Sequence, residues 1–396
     1  MTGMAARHAR PTIPASRYAE RLDAARALAE QAGLGAILVG VGADLRYLTG
    51  YTALPLERLT MLVVLADGSP TLVVPRLEAL PARGCPAVTA GAVEVATWEE
   101  TDDPIALVAA MVRGGGAGDG DDEARLVAVS DRLLAMFLLR LQAAIPEASW
   151  SLASEVLRDL RIRKDPDEIE LLRLAAEAAD RVVMAIANGP LVGRTESDIA
   201  REVRERLVAE GHDSAEFAIV ASGPESASPH HEASDRIVRA GEPIVLDIGG
   251  PLGGYGSDIT RTIWVTGSDA ARGPEAEFRR IHGLVREAQR AATAAVRPGV
   301  AAQALDAAAR AVIESGGYGP RFIHRVGHGI GLEGHEDPYL VEGNHEPIEA
   351  GMAFSIEPGI YLEGRYGVRL EDIVVCGDEA AVVLNRAPHE LIVVAG

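Results

Sequence analysis

The chain has 396 residues, with 38 Lys and Arg against 58 Asp and Glu, and a formal net charge of −20. A length of this kind predicts two or three domains with a real core, and 48% hydrophobic residues exclude a wholly disordered chain. The excess of acidic residues argues against a nucleic-acid partner. No apolar run reaches the ~18–20 residues of a membrane helix, so we expect no membrane partner.

The first 16 residues are basic but lack the apolar stretch of a secretory signal, so we expect a flexible tail over 1–16. The two cysteines, Cys85 and Cys376, lie too far apart for a metal knuckle and are too few for a disulfide scaffold. We therefore expect a cytoplasmic protein.

Helix and strand patterns alternate along the next stretch, which predicts an α/β domain over residues 17–158. The glycine-rich run at 114–122 has no following Lys-Ser/Thr, which favours a linker over a phosphate loop. The predicted elements are a helix over 17–32, a strand over 35–41, a turn over 44–51, a hairpin over 61–75 around Asp67-Gly68, a strand over 126–130 and a helix over 132–144.

A new pattern begins near residue 160, and we expect a second domain over 159–396. Asp165, Pro166 and Glu168 form a helix-start signal ahead of a long amphipathic segment. The order that follows is helix, helix, hairpin, helix, helix and then strands. The predicted strands cover 244–250, 258–266, 352–361, 367–376 and 380–385.

Two aspartates in the second domain flank a glycine-rich turn. Asp247 lies in the apolar run IVLDIGG and Asp258 begins DITRTIWV, so a hairpin would place the two acids side by side on adjacent strands. Such acids are costly to bury unless a cation lies between them, although turn caps are the alternative for this pair alone.

Histidines and glutamates extend this pattern. Seven of the ten histidines lie between His230 and His345, and His328 stands among glycines in VGHGIGLEGHE. Glu357 interrupts the apolar strand FSIEPGIY, and Glu371 interrupts GVRLEDIVV. Hard oxygen donors with one imidazole suit Mn²⁺, Co²⁺, Fe²⁺ or Zn²⁺, and four carboxylates balance the charge of two divalent ions. We therefore expect two metal ions that activate water, held by Asp247, Asp258, His328, Glu357 and Glu371.

The motifs PHH, DIGG, GYGSDITRT, GHGIGLEGHE, SIEPGIY and VRLED resemble those of the pita-bread metallopeptidases, in the family order over 160–396. That family includes methionine aminopeptidase, aminopeptidase P, prolidase and creatinase. The first half, with RYLTGY, resembles the N-terminal domain of the creatinase and prolidase branch, which methionine aminopeptidases lack. The resemblance therefore implies an α/β N-terminal domain followed by an α+β pita-bread catalytic domain.

Residue roles follow from the resemblance, motif by motif. Asp247 would chelate one metal, His328 and Glu357 the other, and Asp258 and Glu371 would bridge both. Glu357 would also carry a proton from the nucleophile to the leaving nitrogen. The remaining matches are His230 at the scissile amide, His335 at the carbonyl oxygen, and His324 and Arg369 lining the substrate pocket. His231 matches no family residue, and we expect it to be a surface histidine.

The resemblance implies an exopeptidase that cleaves the Xaa-Pro bond of dipeptides or short peptides. It also implies two metal ions per chain, with manganese expected ahead of cobalt, zinc or iron. A homodimer joined through the N-terminal domain is the expected assembly. Aminopeptidase P, acting on longer peptides, is the alternative, and a creatinase-like or non-catalytic relative is the alternative of another class. Glu225 stands where many relatives carry Asn after SGP, which affects the loop near the entrance.

Overall fold

The computed structural model describes residues 10–114 and 125–396, so most of the predicted tail and linker lies outside the described residues. The chain divides into two compact units. One is Ile13–Arg161, and the other is Ile162–Gly396 together with the short segment that precedes Ile13. Within the described ranges, no helix combines the length and apolar character needed to cross a membrane.

The first unit is built on a six-stranded sheet in the order β4-β3-β2-β1-β5-β6. Strand β2 pairs antiparallel with β1 and β3, and the other pairs are parallel. The strands are β1 (Leu34–Gly40), β2 (Met61–Leu65), β3 (Thr71–Pro75), β4 (Glu94–Trp98), β5 (Leu126–Val129) and β6 (Ser149–Leu152). The helices are α1 (Ala15–Gln31), α2 (Ala43–Thr49), α3 (Ala79–Arg83), α4 (Pro86–Thr89), α5 (Pro104–Gly114), α6 (Ala135–Ala144) and α7 (Ser154–Arg161).

Most predicted elements of this unit are confirmed, including helix α1, strands β1 and β5, and the β2–β3 hairpin. The turn predicted over 44–51 is wrong, because this segment forms helix α2. Leu45 and Leu48 are fully buried on one side of that helix, and Gly50 closes it with a φ of 72°. Burial of this apolar face thus stabilises a short helix that the local sequence does not predict.

The described part of the second unit contains two sheets, a hairpin and four long helices. One sheet has the order β17-β9-β8-β7 and the other β11-β10-β12-β15-β16, while β13 pairs with β14. The strands are β7 (Phe217–Ser222), β8 (Glu242–Leu252), β9 (Tyr255–Val265), β10 (Gly327–Gly329), β11 (Glu336–Leu340), β12 (Ala353–Ile356), β13 (Gly359–Leu362), β14 (Tyr366–Arg369), β15 (Asp372–Cys376), β16 (Ala381–Val383) and β17 (Ile392–Val394). The helices are α8 (Pro166–Ala187), α9 (Glu196–Glu210), α10 (Ala276–Ala295) and α11 (Ala302–Ser315).

Two hydrophobic clusters hold these layers together. Helices α8 and α9 pack against the first sheet, and α10 and α11 pack against the second sheet and the β13–β14 hairpin. Asp165 caps α8 as predicted, since its carboxylate accepts from the backbone N–H groups of Asp167 and Glu168. The sheets meet where Thr260 and Glu371 form an isolated antiparallel bridge, with Glu371 N donating to Thr260 O at 3.1 Å.

Two of the predicted strands are each broken in two. The segment 352–361 forms β12 and β13, with Glu357 and Pro358 between them, and 367–376 forms β14 and β15, with Leu370 and Glu371 between them. Pro358 has no backbone N–H to continue a ladder, which favours a break at that position. Both glutamates therefore lie at strand junctions and not within strands.

Candidate metal centre

The two aspartates are carried by the β8–β9 hairpin, whose turn is formed by Gly253 and Gly254, both with positive φ. The register pairs Asp247 with Thr260 and Asp258 with Gly249. The predicted hairpin is confirmed, and its register makes the two acids diagonal neighbours on adjacent strands, two positions apart. Because the side chains of alternate residues point to one face of a sheet, both acids still face the same side.

The two glutamates emerge together from the end of another ladder. Strands β12 and β15 are antiparallel, and the last pair joins Ile356 to Asp372. Glu357 directly follows β12 and Glu371 directly precedes β15, which brings them side by side. Ser355 Oγ donates to Glu357 Oε1 at 3.2 Å, and Thr260 Oγ1 donates to Glu371 Oε2 at 2.7 Å. Each glutamate is thus oriented by a hydroxyl group.

His328 lies in β10, between β11 and β12. Its Nδ1–H donates to the carbonyl of Gly329 at 3.1 Å, which turns Nε2 toward the acids, 3.4 Å from Glu357 Oε1 and 3.8 Å from Asp258 Oδ2. A Cβ on Gly327 would lie 1.9 Å from the carbonyl oxygen of Ser355, so glycine is required for the close approach of these strands.

The structure brings all five predicted ligands together. Their ligand atoms form overlapping groups in which every atom lies within 4.8 Å of the others. The groups are Asp247, Asp258 and Glu371; His328, Glu357 and Glu371; and Asp258, His328 and His335. The last group adds His335, whose ring centroid lies 3.8 Å from that of His328.

Burial and mutual repulsion make this cluster costly without cations. Burial raises the pKa of Asp258 and of Glu371 well above the ordinary range, and neighbouring carboxylates raise each further. Burial also raises the pKa of Glu357 to about 7. Among the described residues, buried Asp247 Oδ1 has no hydrogen-bond partner. A buried acceptor without a partner, within a crowded set of carboxylates, suits hard divalent cations. The carboxylate oxygens would be the ligands, and the cations would supply the balancing positive charge.

A buried chain of polar groups supports the cluster from one side. Arg369 pairs with Asp247 and donates from Nε to Thr260 Oγ1 at 3.1 Å and from Nη1 to the Tyr361 hydroxyl at 2.9 Å. That hydroxyl lies 2.8 Å from His324 Nε2. Burial and the nearby Arg369 charge lower the pKa of His324 to about 4, and burial raises the pKa of Tyr361 to about 12. The imidazole is therefore neutral, and the phenol keeps its proton.

Sequence reasoning missed Tyr361. The hairpin register pairs Gly359 with Arg369 and Tyr361 with Gly367, so Tyr361 and Arg369 lie on one face. Once the hairpin is recognised, the sequence does indicate this neighbour, because Tyr361 lies two residues after Gly359, the residue that faces Arg369.

His230 and His335 are exposed, as substrate-facing residues would be. His230 lies close enough to His324 for its charge to contribute to the lowered pKa of His324. The loop that carries His230 contacts Arg369 directly, because Arg369 Nη2 donates to the carbonyl of Pro229 at 3.3 Å. This contact links the His230 loop to the acid cluster.

The surface position expected for His231 is wrong. Its side chain is 13% exposed, and Nε2 lies 2.7 Å from the fully buried carboxylate of Glu196. Glu196 also accepts from the backbone N–H and hydroxyl groups of both Ser222 and Ser234. These bonds, with that of His231, lower the pKa of Glu196 despite its burial. Glu225 Oε2 lies 3.8 Å from the other ring nitrogen of His231. Glu196 therefore anchors both ends of the loop that carries His230.

Comparisons with known proteins agree with this geometry. The model of Metallopeptidase family M24 matches residues 170–378, and that of the Creatinase/Prolidase N-terminal domain matches 21–163. The probable dipeptidase PepE of Mycobacterium tuberculosis is 45% identical over 378 residues, covering 95% of this chain and 96% of that protein.

Solved structures give the same result. Dipeptidase PepE from Mycobacterium ulcerans has a TM-score of 0.88 at 45% identity, covering 96% of this chain and 99% of that one. A prolidase from Thermococcus sibiricus has a TM-score of 0.86 at 35% identity, covering 95% and 99%. The resemblance and the fold predicted from the sequence motifs are confirmed.

Proposed function

The chain belongs to metallopeptidase family M24, and on that premise we propose that it is a dinuclear dipeptidase that cleaves the bond between an N-terminal residue and proline. The names of its relatives support a dipeptidase, since the similar mycobacterial protein is called a probable dipeptidase and the archaeal structure a prolidase. The single observation that carries the proposal is the buried convergence of four carboxylates and His328.

In the proposed centre, Asp247 would help to hold one ion, His328 and Glu357 would help to hold the other, and Asp258 and Glu371 would be shared between the two. Ions held there would supply Lewis-acid polarisation of the scissile carbonyl and an activated water nucleophile. Arg369 holds Asp247 in place and offsets part of the negative charge. Tyr361 and neutral His324 keep Arg369 oriented through one continuous chain of hydrogen bonds.

The remaining groups act on the peptide. Glu357 would take the proton from the attacking water and pass it to the proline nitrogen, which needs it before it can leave. His230 contacts the scissile amide, and His335 stabilises the carbonyl oxygen as it gains negative charge. His324 and Arg369 line the substrate pocket.

Substrate length is the sharpest test of this function. We expect metal-loaded enzyme to turn over Ala-Pro faster than Ala-Pro-Ala in steady-state assays, and to lose activity on both after chelation. Faster turnover of Ala-Pro-Ala would establish aminopeptidase P activity instead. Failure to cleave either peptide with any of the four candidate metals would favour a creatinase-like or non-catalytic relative.

The cofactor and the assembly complete the proposal. Oxygen-rich donors with one imidazole support manganese, with cobalt, zinc or iron as alternatives. We expect a homodimer joined through the N-terminal domain, acting on short peptides in the cytoplasm. Metal analysis of protein purified without added metal and sedimentation equilibrium test the first two statements.

A further inference from the structure

A dipeptidase must recognise the free carboxylate that ends its substrate, and a positively charged side chain is the natural partner for that group. The inference below rests on the proposed function. Arg369 is the arginine nearest to the acids, but it is 3% exposed and is already bonded to Asp247, Tyr361, Thr260 and the carbonyl of Pro229. Arg369 therefore has little capacity left for a substrate carboxylate.

Two other arginines close to this part of the fold are also committed. Arg310 forms a bidentate pair with Asp306, and Arg261 is fully buried against Asp372. Breaking either pair to bind substrate would leave a buried carboxylate without its arginine, which is strongly unfavourable. Neither arginine is suited to reversible capture of a ligand.

Arg325 differs from these three. It is half-buried, and its guanidinium carbon lies 4.4 Å from the centroid of the Tyr339 ring. Within the described ranges, no carboxylate lies at ion-pair distance from Arg325. A guanidinium that stacks through its face keeps its N–H groups, which point outward in the plane, free for a ligand.

Arg325 lies next to residues of the candidate metal centre. It immediately follows His324, and Tyr339 is the cross-strand partner of His328 in the β10–β11 pair. Side chains of such partners stand next to each other on one face of a sheet. Burial lowers the pKa of His328, and the positive charge of Arg325 lowers it further. Burial raises the pKa of Glu357, and the same charge opposes part of that rise. The guanidinium thus lies beside the acid cluster without being paired to it.

We propose that Arg325, held by stacking on Tyr339, binds the C-terminal carboxylate of the dipeptide and so makes this enzyme selective for dipeptides. A guanidinium matches a carboxylate in a two-point, charge-assisted arrangement that a longer peptide, with an amide at that position, cannot provide. Arg325 is on this account a substrate-binding residue that acts mainly on affinity.

The test compares Ala-Pro with Ala-Pro amide, which has the same scissile bond but no terminal charge. We expect Arg325→Ala to raise KM for Ala-Pro by about ten- to a hundredfold, with little change in kcat, and to leave KM for the amide nearly unchanged. Arg325→Lys should recover part of the loss because it restores the charge but not the two-point geometry. Arg280→Ala is the matched control, since Arg280 is an exposed arginine near the Tyr318 ring.

A binding measurement separates this inference from the proposed function. Free proline should raise the melting temperature of metal-loaded wild-type protein more than prolinamide does, and Arg325→Ala should abolish that difference. An equal loss with Ala-Pro and its amide, or an unchanged preference for proline in Arg325→Ala, would overturn the role of Arg325. Absence of Xaa-Pro hydrolysis alongside the predicted proline preference would instead reject the proposed function alone.

Discussion

The free energy of unfolding of the metal-free protein should fall as pH rises. The raised pKa of Glu357 sets the expected size of this fall. Burial raises the pKa of Glu357 from 4.5 to about 7. A folded-state pKa above the unfolded one means that the contribution of Glu357 to stability is fully present below about pH 4.5 and is lost as pH rises through about 7. A shift of this size corresponds to about 3 kcal/mol, and the raised pKa values of Asp258 and Glu371 act in the same direction.

The assay is urea unfolding of chelated protein between pH 4.5 and 8, with Glu357→Gln beside the wild type. We expect the wild type to lose about 3 kcal/mol more than this variant over that range, because glutamine carries no charge at any pH. Glu363→Gln, which changes an exposed glutamate in the β13–β14 turn, is the control and should behave as wild type. Added Mn²⁺ should remove the loss of stability with pH from the wild type, because bound ions neutralise the buried carboxylates. Parallel pH profiles for chelated wild type and Glu357→Gln would refute this reasoning.

Three substitutions test individual roles. Glu371→Gln should lower kcat/KM by at least ~10³-fold and reduce metal content, and a variant with full metal content and over a tenth of the activity would contradict the bridging role. His230→Ala should keep its metal and its melting curve but lose about 10²–10⁴ in kcat, so loss of metal would count against its assignment. His231→Ala should destabilise the fold by about 1–3 kcal/mol in urea unfolding, because it removes a partner of buried Glu196; an unchanged midpoint would show that the pair is not structural.

The five residues selected from the sequence motifs lie close together in the structure, and the four acids among them are recognisable because each interrupts an apolar segment. Asp247, Asp258, Glu357 and Glu371 are acids in runs that otherwise belong in a core, and burial of such acids demands a cation. Their exact placement could not be predicted. The diagonal register of the aspartates depends on the two-residue turn. The break at Pro358 places Glu357 at the end of β12, and the separate break between β14 and β15 contains Glu371.

Residues whose role depends on long-range contacts were missed or misread. His231 is a polar residue in a polar loop, and only its contact with Glu196, 35 positions earlier, distinguishes it from a surface histidine. Tyr361 was missed partly for this reason, since its partner His324 lies 37 positions earlier, although its other partner, Arg369, lies in the same hairpin. Helix α2 was missed for a related reason, because its stability comes from the buried side chains of Leu45 and Leu48.

Peptidase activity of this chain is proposed to depend on two divalent ions held by five residues. The most direct measurement determines metal content and Ala-Pro turnover on the same preparation, first after chelation and then during titration with Mn²⁺. We predict that activity is absent in metal-free protein and rises with binding to a plateau at two ions per chain. Full turnover of metal-free protein, or saturation with no more than one ion bound, would contradict the dinuclear account.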